Sequence, residues 1–282
     1  MKKQQVVLVS SGIALLLLLS IFGKTVPSGK QNRRPATDSV AAAFDFSTFL
    51  QQARNNLSPA RQAYVNALET SVVRGDVKNQ QVKVYRQLAT FWKDSAQLTE
   101  PYAFYTGQAS KLENSEKSLT FAAQLFLDNC RGTNDEAMRS WMAGEARALF
   151  QRSLQLNPSN DSAKIGLGSA YIFGSPASDP SQVMQGIQQI LEVARRDSTN
   201  MYAQLMLGIG GLVSGQVDKA IERLQKVVAH DPANVEAILT LAEAYERRSD
   251  KQNAVKWYQA SKQLIRNPAI IKEIEQHIQA LK

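Results

Sequence analysis

The C-terminal half of this chain repeats one short phrase four times: Asn157-Pro158-Ser159-Asn160, Asp197-Ser198-Thr199-Asn200, Asp231-Pro232-Ala233-Asn234 and Asn267-Pro268. The phrases begin 40, 34 and 36 residues apart. A fixed period of this size marks a stack of helical pairs, each too small to bury both of its faces alone. The segments after the second and third phrases align without a gap: Leu207-Gly208 falls on Leu241-Ala242, Ala220 on Ala254, Leu224 on Tyr258 and Val227 on Ser261. Each unit therefore reads as two antiparallel helices. Small residues such as Gly168, Gly208, Ala220, Ala242 and Ala254 let helix backbones approach, and Tyr171, Leu224, Tyr245 and Tyr258 fill the spaces between neighbours. Pro at the phrases and Gly215 at a turn stop helices, since Pro has no N–H to donate and Gly tolerates a left-handed end. No stretch alternates with a two-residue period over any length, so the expected fold is all-α, without a sheet.

These residues resemble the tetratricopeptide repeat. That pattern runs Leu-Gly/Ala, Tyr three residues on, then Ala, then Phe/Tyr, then a closing Pro. The third unit shows it as Leu241-Ala242, Tyr245, Ala254 and Tyr258. The second has Leu207-Gly208, Gly211 in place of Tyr, Gly215 at the turn, Ala220, Leu224 and Pro232. The first opens with Leu167-Gly168 and Tyr171, then carries six extra residues around 173–180, with Gly186 where Ala is expected. In a partial fourth unit upstream, Ala146, Phe150 and Pro158 suit a second helix. Its first helix is expected near Leu119–Cys130, with a long loop between the two. The resemblance covers residues 116–267 and implies an α-solenoid of antiparallel helix pairs that binds proteins and catalyses nothing. Residues 42–115 read as diverged helical hairpins, with aromatic residues at helical spacing. Within them Ala60, Ala63, Tyr64, Ala67, Leu68 and Val72 share a helix that starts at Ser58-Pro59. Residues 268–282 read as a capping helix with Ile270, Ile271, Ile274, Ile278 and Leu281 on one stripe.

The resemblance also implies a binding surface. In such solenoids the first helix of each unit lines a concave groove. Here that face carries Ile165, Ser169, Ile172 and Phe173, then Tyr202, Leu205, Ile209 and Leu212, and finally Glu243. Glu236 and Glu246 lie on the same face of the third unit, giving an apolar trough with an acidic rim. Such a trough suits a protein or peptide partner that presents an amphipathic helix with basic residues. The alternatives are that the chain's own N-terminal helices fill the trough, or that a second copy does and the protein is a self-associating homo-oligomer.

Residues 6–23 contain no charge and span about 27 Å as a helix, enough for the hydrocarbon core of a bilayer. They read as a transmembrane anchor or a signal, after a cytoplasmic tail of residues 1–5 and before a flexible linker at 24–41. A short Met-Lys-Lys start places the anchor in the inner (cytoplasmic) membrane and the soluble body in the periplasm. The net charge of +8 is no nucleic-acid signature, because residues 1–40 alone carry +5, leaving +3 for the body.

Nothing in the sequence spells out chemistry. His230 and His277 lie in different helices, away from any acid or cysteine at metal-ligand spacing. The single Cys130 cannot form an intramolecular disulfide. The glycines at 208, 210 and 211 fall inside a helix, where a phosphate-binding loop has no place. They suit close helix packing, or leave room for something bulky in the groove. No catalytic residue, cofactor or metal is expected.

Overall fold

The computed structural model describes residues 44–74, 77–176 and 179–281. The expected anchor at 6–23 and linker at 24–41 lie outside the described residues. Thirteen α-helices and one short π-helical turn, Phe91–Ser95, run through the described residues, with no strand among them. The α-helices are α1 (Phe46–Asn55), α2 (Pro59–Arg74), α3 (Lys78–Thr90), α4 (Thr99–Glu113), α5 (Glu116–Gly132), α6 (Glu136–Leu156) and α7 (Asp161–Gly174). After these come α8 (Pro180–Arg196), α9 (Met201–Val213), α10 (Val217–His230), α11 (Val235–Arg247), α12 (Lys251–Lys262) and α13 (Pro268–Leu281).

The repeated phrase is a stop and a start fused into one turn. Its first residue ends the preceding helix: the Asn157, Asp197 and Asp231 amides donate to Ser153, Val193 and Val227 carbonyls at 2.8–2.9 Å. The side chain of that residue then accepts the amide two positions on, at 3.1 Å for Ser159, 2.9 Å for Thr199 and 3.0 Å for Ala233. The fourth residue is the N-cap of the next helix. Asn160, Asn200 and Asn234 each accept from the third helical amide at 2.9 Å, satisfying a donor that the helix itself leaves unpaired. At the last phrase the preceding helix already ends at Lys262, and Asn267 only opens the next, its side chain accepting from Ala269 at 2.9 Å. Asn234→Ala should therefore lower stability by about 1 kcal/mol, read from a urea titration. No change would mean that water replaces the cap at no cost.

Packing between units depends on side chains that are missing. Gly168 on α7 and Gly186 on α8 face one another, and a Cβ built on Gly168 falls 2.6 Å from the Gly186 carbonyl oxygen. The two backbones touch there without any side chain between them. Gly166 similarly lies under the ring of Phe150, which is fully buried. Gly210 and Gly211 prove to be packing glycines too. Gly210 abuts Ile172 and Ile187, and Gly211 abuts Ala220, so neither leaves space in a groove.

The upstream unit is more regular than its sequence suggests. No long loop separates α5 from α6, because α5 runs to Gly132 and α6 begins at Glu136, capped by Asp135 at 2.9 Å. The stretch expected as loop is helix instead, with Met138, Trp141, Met142, Leu149 and Phe150 at helical spacing along α6.

The core follows the stack. One buried cluster runs from Ile165 to Ile278, a second from Ala103 to Ala170, and a third joins Leu50, Val65, Leu88, Trp92 and Tyr105. α1 folds back over the middle of the stack, where Phe46 stacks on Trp141 at 4.7 Å and meets Phe104 at 4.3 Å. At the other end α13 buries Ile274 and Ile278.

Candidate functional site

The first helices of successive pairs touch one another directly, α5 on α7, α7 on α9 and α9 on α11, forming a continuous inner wall. Residues three or four apart on one helix either point along this wall or wedge into the seam beside it. Ile165, Ile172, Leu205 and Leu212 take the seam, at no more than 5% exposed. Ser169 lies fully buried among them, its hydroxyl without a hydrogen-bond partner among the described residues. Phe173 and Ile209 are half-buried, Glu243 likewise, and Tyr202 reaches solvent at 37% exposed. The open surface of the wall therefore rests on Tyr202, Phe173, Ile209 and Leu239, with Glu243 at its C-terminal end. Leu205 and Leu212 serve packing.

α5 lends residues that the repeat pattern does not announce. Gln124, Asp128 and Arg131 follow one another at helical spacing, and all three lie beside the Tyr202 side chain. Arg131 also stacks on the Phe173 ring at 4.7 Å and pairs with Glu236, 105 residues downstream. The stack thus curls far enough for the partial unit upstream of the first to touch the third.

The expected acidic rim is already neutralised. Glu236 is held by Arg131, and Glu243 by Arg247 at 2.6 Å. The Arg247 guanidinium also donates to the Leu212 carbonyl at 2.9 Å, tying α11 to α9. Glu246 accepts from the Tyr258 hydroxyl at 3.0 Å and lies 2.8 Å from His277 Nε2, while the Tyr258 and His277 rings meet edge-on at 5.0 Å. Burial, and then the Glu246 carboxylate, push the Tyr258 phenol well above its ordinary range, so it stays a donor. These groups line a shallow recess of about 640 Å³ between α11, α12 and α13.

Neither a nucleophile nor a metal site stands out. Among the described residues no three His, Cys, Asp or Glu side chains gather as metal ligands. Cys130 is fully buried, and that burial pushes its thiol up to about 11 despite Arg139, Arg147 and Arg131 nearby. The thiol should resist alkylation at pH 8 by about a hundredfold relative to the urea-unfolded chain. Because the fold raises this pKa above its ordinary 9.0, the contribution to stability is whole below that pH and fades as the pH climbs through about 11. Equal labelling rates of folded and unfolded chains would show that α5 opens readily.

Comparison with known proteins agrees with this geometry. Residues 205–268, from α9 to the start of α13, match the family model of the tetratricopeptide repeat. A solved thermophilic tetratricopeptide-repeat protein of Thermus thermophilus superposes with a TM-score of 0.53 at 14% identity, over 73% of this chain and 98% of that one. That likeness establishes the fold as a tetratricopeptide-type solenoid. MamA of Desulfovibrio magneticus, residue 41 to its end, gives a TM-score of 0.46 at 20% identity, over 67% of this chain and 96% of that one. Among curated proteins, the cellulose synthase 1 operon protein C of Komagataeibacter xylinus is 28% identical over 158 residues, 53% of this chain. The chain spans only 12% of that relative's length. Among the described residues no helix is long and apolar enough to cross a membrane.

Proposed function

We propose that this chain is a non-enzymatic scaffold that captures a helical segment of another protein on the inner wall formed by α5, α7, α9 and α11. The observation that carries this reading is the apolar strip on the wall made by exposed Tyr202 with half-buried Ile209 and Leu239. Solenoids of this type use their curvature to build extended concave binding surfaces. A helix docked by its apolar side would lie on this strip. Basic residues of such a helix compete with Arg131 and Arg247 for carboxylates already paired, so apolar contact supplies most of the affinity. The uncharged run at 6–23 supports a further part of the proposal, that the scaffold is tethered to the inner membrane with its body in the periplasm. Tethering raises the local concentration against other membrane proteins, so a modest groove affinity suffices.

The test is a photoreactive residue at Ile209 of the full-length protein, cross-linked in membranes. The expected result is one discrete partner band that disappears with Tyr202→Asp while the helical content, read by circular dichroism, stays unchanged. Cross-links confined to α5 or to a second copy of the chain would overturn the proposal, assigning the wall to internal packing or to self-association.

A further inference from the structure

A second surface, far from the inner wall in sequence, has its own chemistry. α2 buries only Val65 fully among its described side chains. The apolar residues expected to face the core divide: Leu68 and Val72 are half-buried, but Ala60, Ala63, Tyr64 and Ala67 are exposed. The reason lies on the opposite side of the helix. Glu69 accepts from both Arg54 on α1 and the Tyr105 hydroxyl on α4, and this half-buried polar tie turns the Val65–Glu69 face inward. What remains outside is a groove between α2 and α3 of about 1130 Å³. Its floor is aromatic, with Tyr64, 47% exposed, lying 5.6 Å from the Phe91 ring. Its walls are cationic. Arg86 is paired with Glu113 at 2.6 Å, but Arg61, Lys78 and Lys83 have no ion-pair partner among the described residues, and Asp94 alone opposes them.

We infer that this groove docks an acidic amphipathic helix of another protein. Its apolar side would rest on Tyr64 and Phe91, and its carboxylates would meet Arg61, Lys78 and Lys83. Charge decides the occupant. A second copy packed face to face brings the same three cations against themselves. The chain's own residues 24–34 bring Lys24, Lys30, Arg33 and Arg34 and no acid. A flat anionic surface fits a recessed aromatic floor poorly. The lining runs along α3 from Lys78 to Phe91, about 20 Å, enough for more than three turns of a bound helix.

The probe is a fluorescein-labelled helix of about 16 residues with leucines at i, i+3, i+4 and i+7 and glutamates elsewhere, beside a twin carrying lysines. Fluorescence anisotropy with the full-length protein should show saturable binding of the glutamate helix and about tenfold weaker binding of the twin. Lys83→Glu and Arg61→Glu should each weaken binding about fivefold, and raising salt from about 50 to about 300 mM should do the same. Tyr64→Ser should abolish binding with an unchanged thermal melt, because Tyr64 is exposed. Equal binding of both helices, or no binding of the glutamate helix, would overturn the inference. So would loss of binding with Tyr202→Asp but not Tyr64→Ser, which would move the helix to the inner wall. Concentration-dependent dimers abolished by Tyr64→Ser would assign the face to a second copy. Uptake by phosphatidylserine vesicles with the same lysine dependence would assign it to a membrane.

Discussion

Gly186→Val should lower the melting temperature of the full-length chain by about 6–12 °C, the shift expected for a loss of about 3 kcal/mol in a fold of this size. The loss comes from backbone meeting backbone. A Cβ on Gly186 overlaps the Gly168 carbonyl oxygen and comes 3.0 Å from both Ile172 Cγ1 and Tyr171 Cβ. A carbonyl in mid-helix cannot swing aside as a side chain does, so α8 must move away from α7 and open the seam. Ile190, fully buried beside Gly168, then loses contacts as well. Gly144 on α6 supplies the control. A Cβ there meets nothing within 4 Å, so Gly144→Ala should raise stability by up to about 1 kcal/mol through helix propensity alone. Opposite signs at two helical glycines separate close approach from propensity. If Gly186→Val melts with the wild type, the seam is looser than the backbone contact implies.

Phe150→Ala should cost about 3–5 kcal/mol, because its ring is fully buried in the middle cluster. The more telling result is its coupling to Gly166. A Cβ on Gly166 falls 2.6 and 2.7 Å from the two Cε atoms of that ring, so Gly166→Ala alone should cost about 2 kcal/mol. In the Phe150→Ala background the new methyl enters the cavity left by the ring. There the change should become neutral or favourable by up to about 1 kcal/mol, with the helix gaining alanine's propensity. Urea titrations of the two single variants and the double variant measure this directly. Simple additivity would mean that the ring and the glycine do not share the space assigned to them.

The parts of this fold legible in the sequence are those fixed by local chemistry. The Asn and Asp phrases act within four residues, through an amide and a side chain that are neighbours in the chain, so their spacing carries the period whatever surrounds them. Paired small and large residues, such as Gly208 beneath Leu224 and Gly168 beneath Ile190, survive as pattern because the contact recurs from one unit to the next. The inner wall is harder to read. Leu205 and Ile209 are both apolar and four residues apart, yet one fills a seam and the other meets solvent. A modest rotation of α9 decides between them, and that rotation is set by Gly210 against Ile172 and Ile187 on the unit before it. Arg131 and Glu236 cannot be paired by inspection, since 105 residues separate them and only the curl of the stack brings them together. Likewise the exposed side of α2 looks like core in sequence, because nothing local shows that Glu69 is held inside by Arg54 and Tyr105.

The fused turns have a consequence for how such a chain can change length. Each closes one helix and opens the next with the same four residues, so the segment from Met201 to Asn234 begins and ends at chemically equivalent seams. Cut out, it leaves Asn200 capping the helix that Asn234 capped before; copied, it supplies a cap for its own duplicate. Length can thus be gained or lost in whole units of 34 residues without inventing a new junction. A shift of one or two residues inside a turn, by contrast, uncouples cap from stop. A chain built this way is edited by the paragraph, not by the letter.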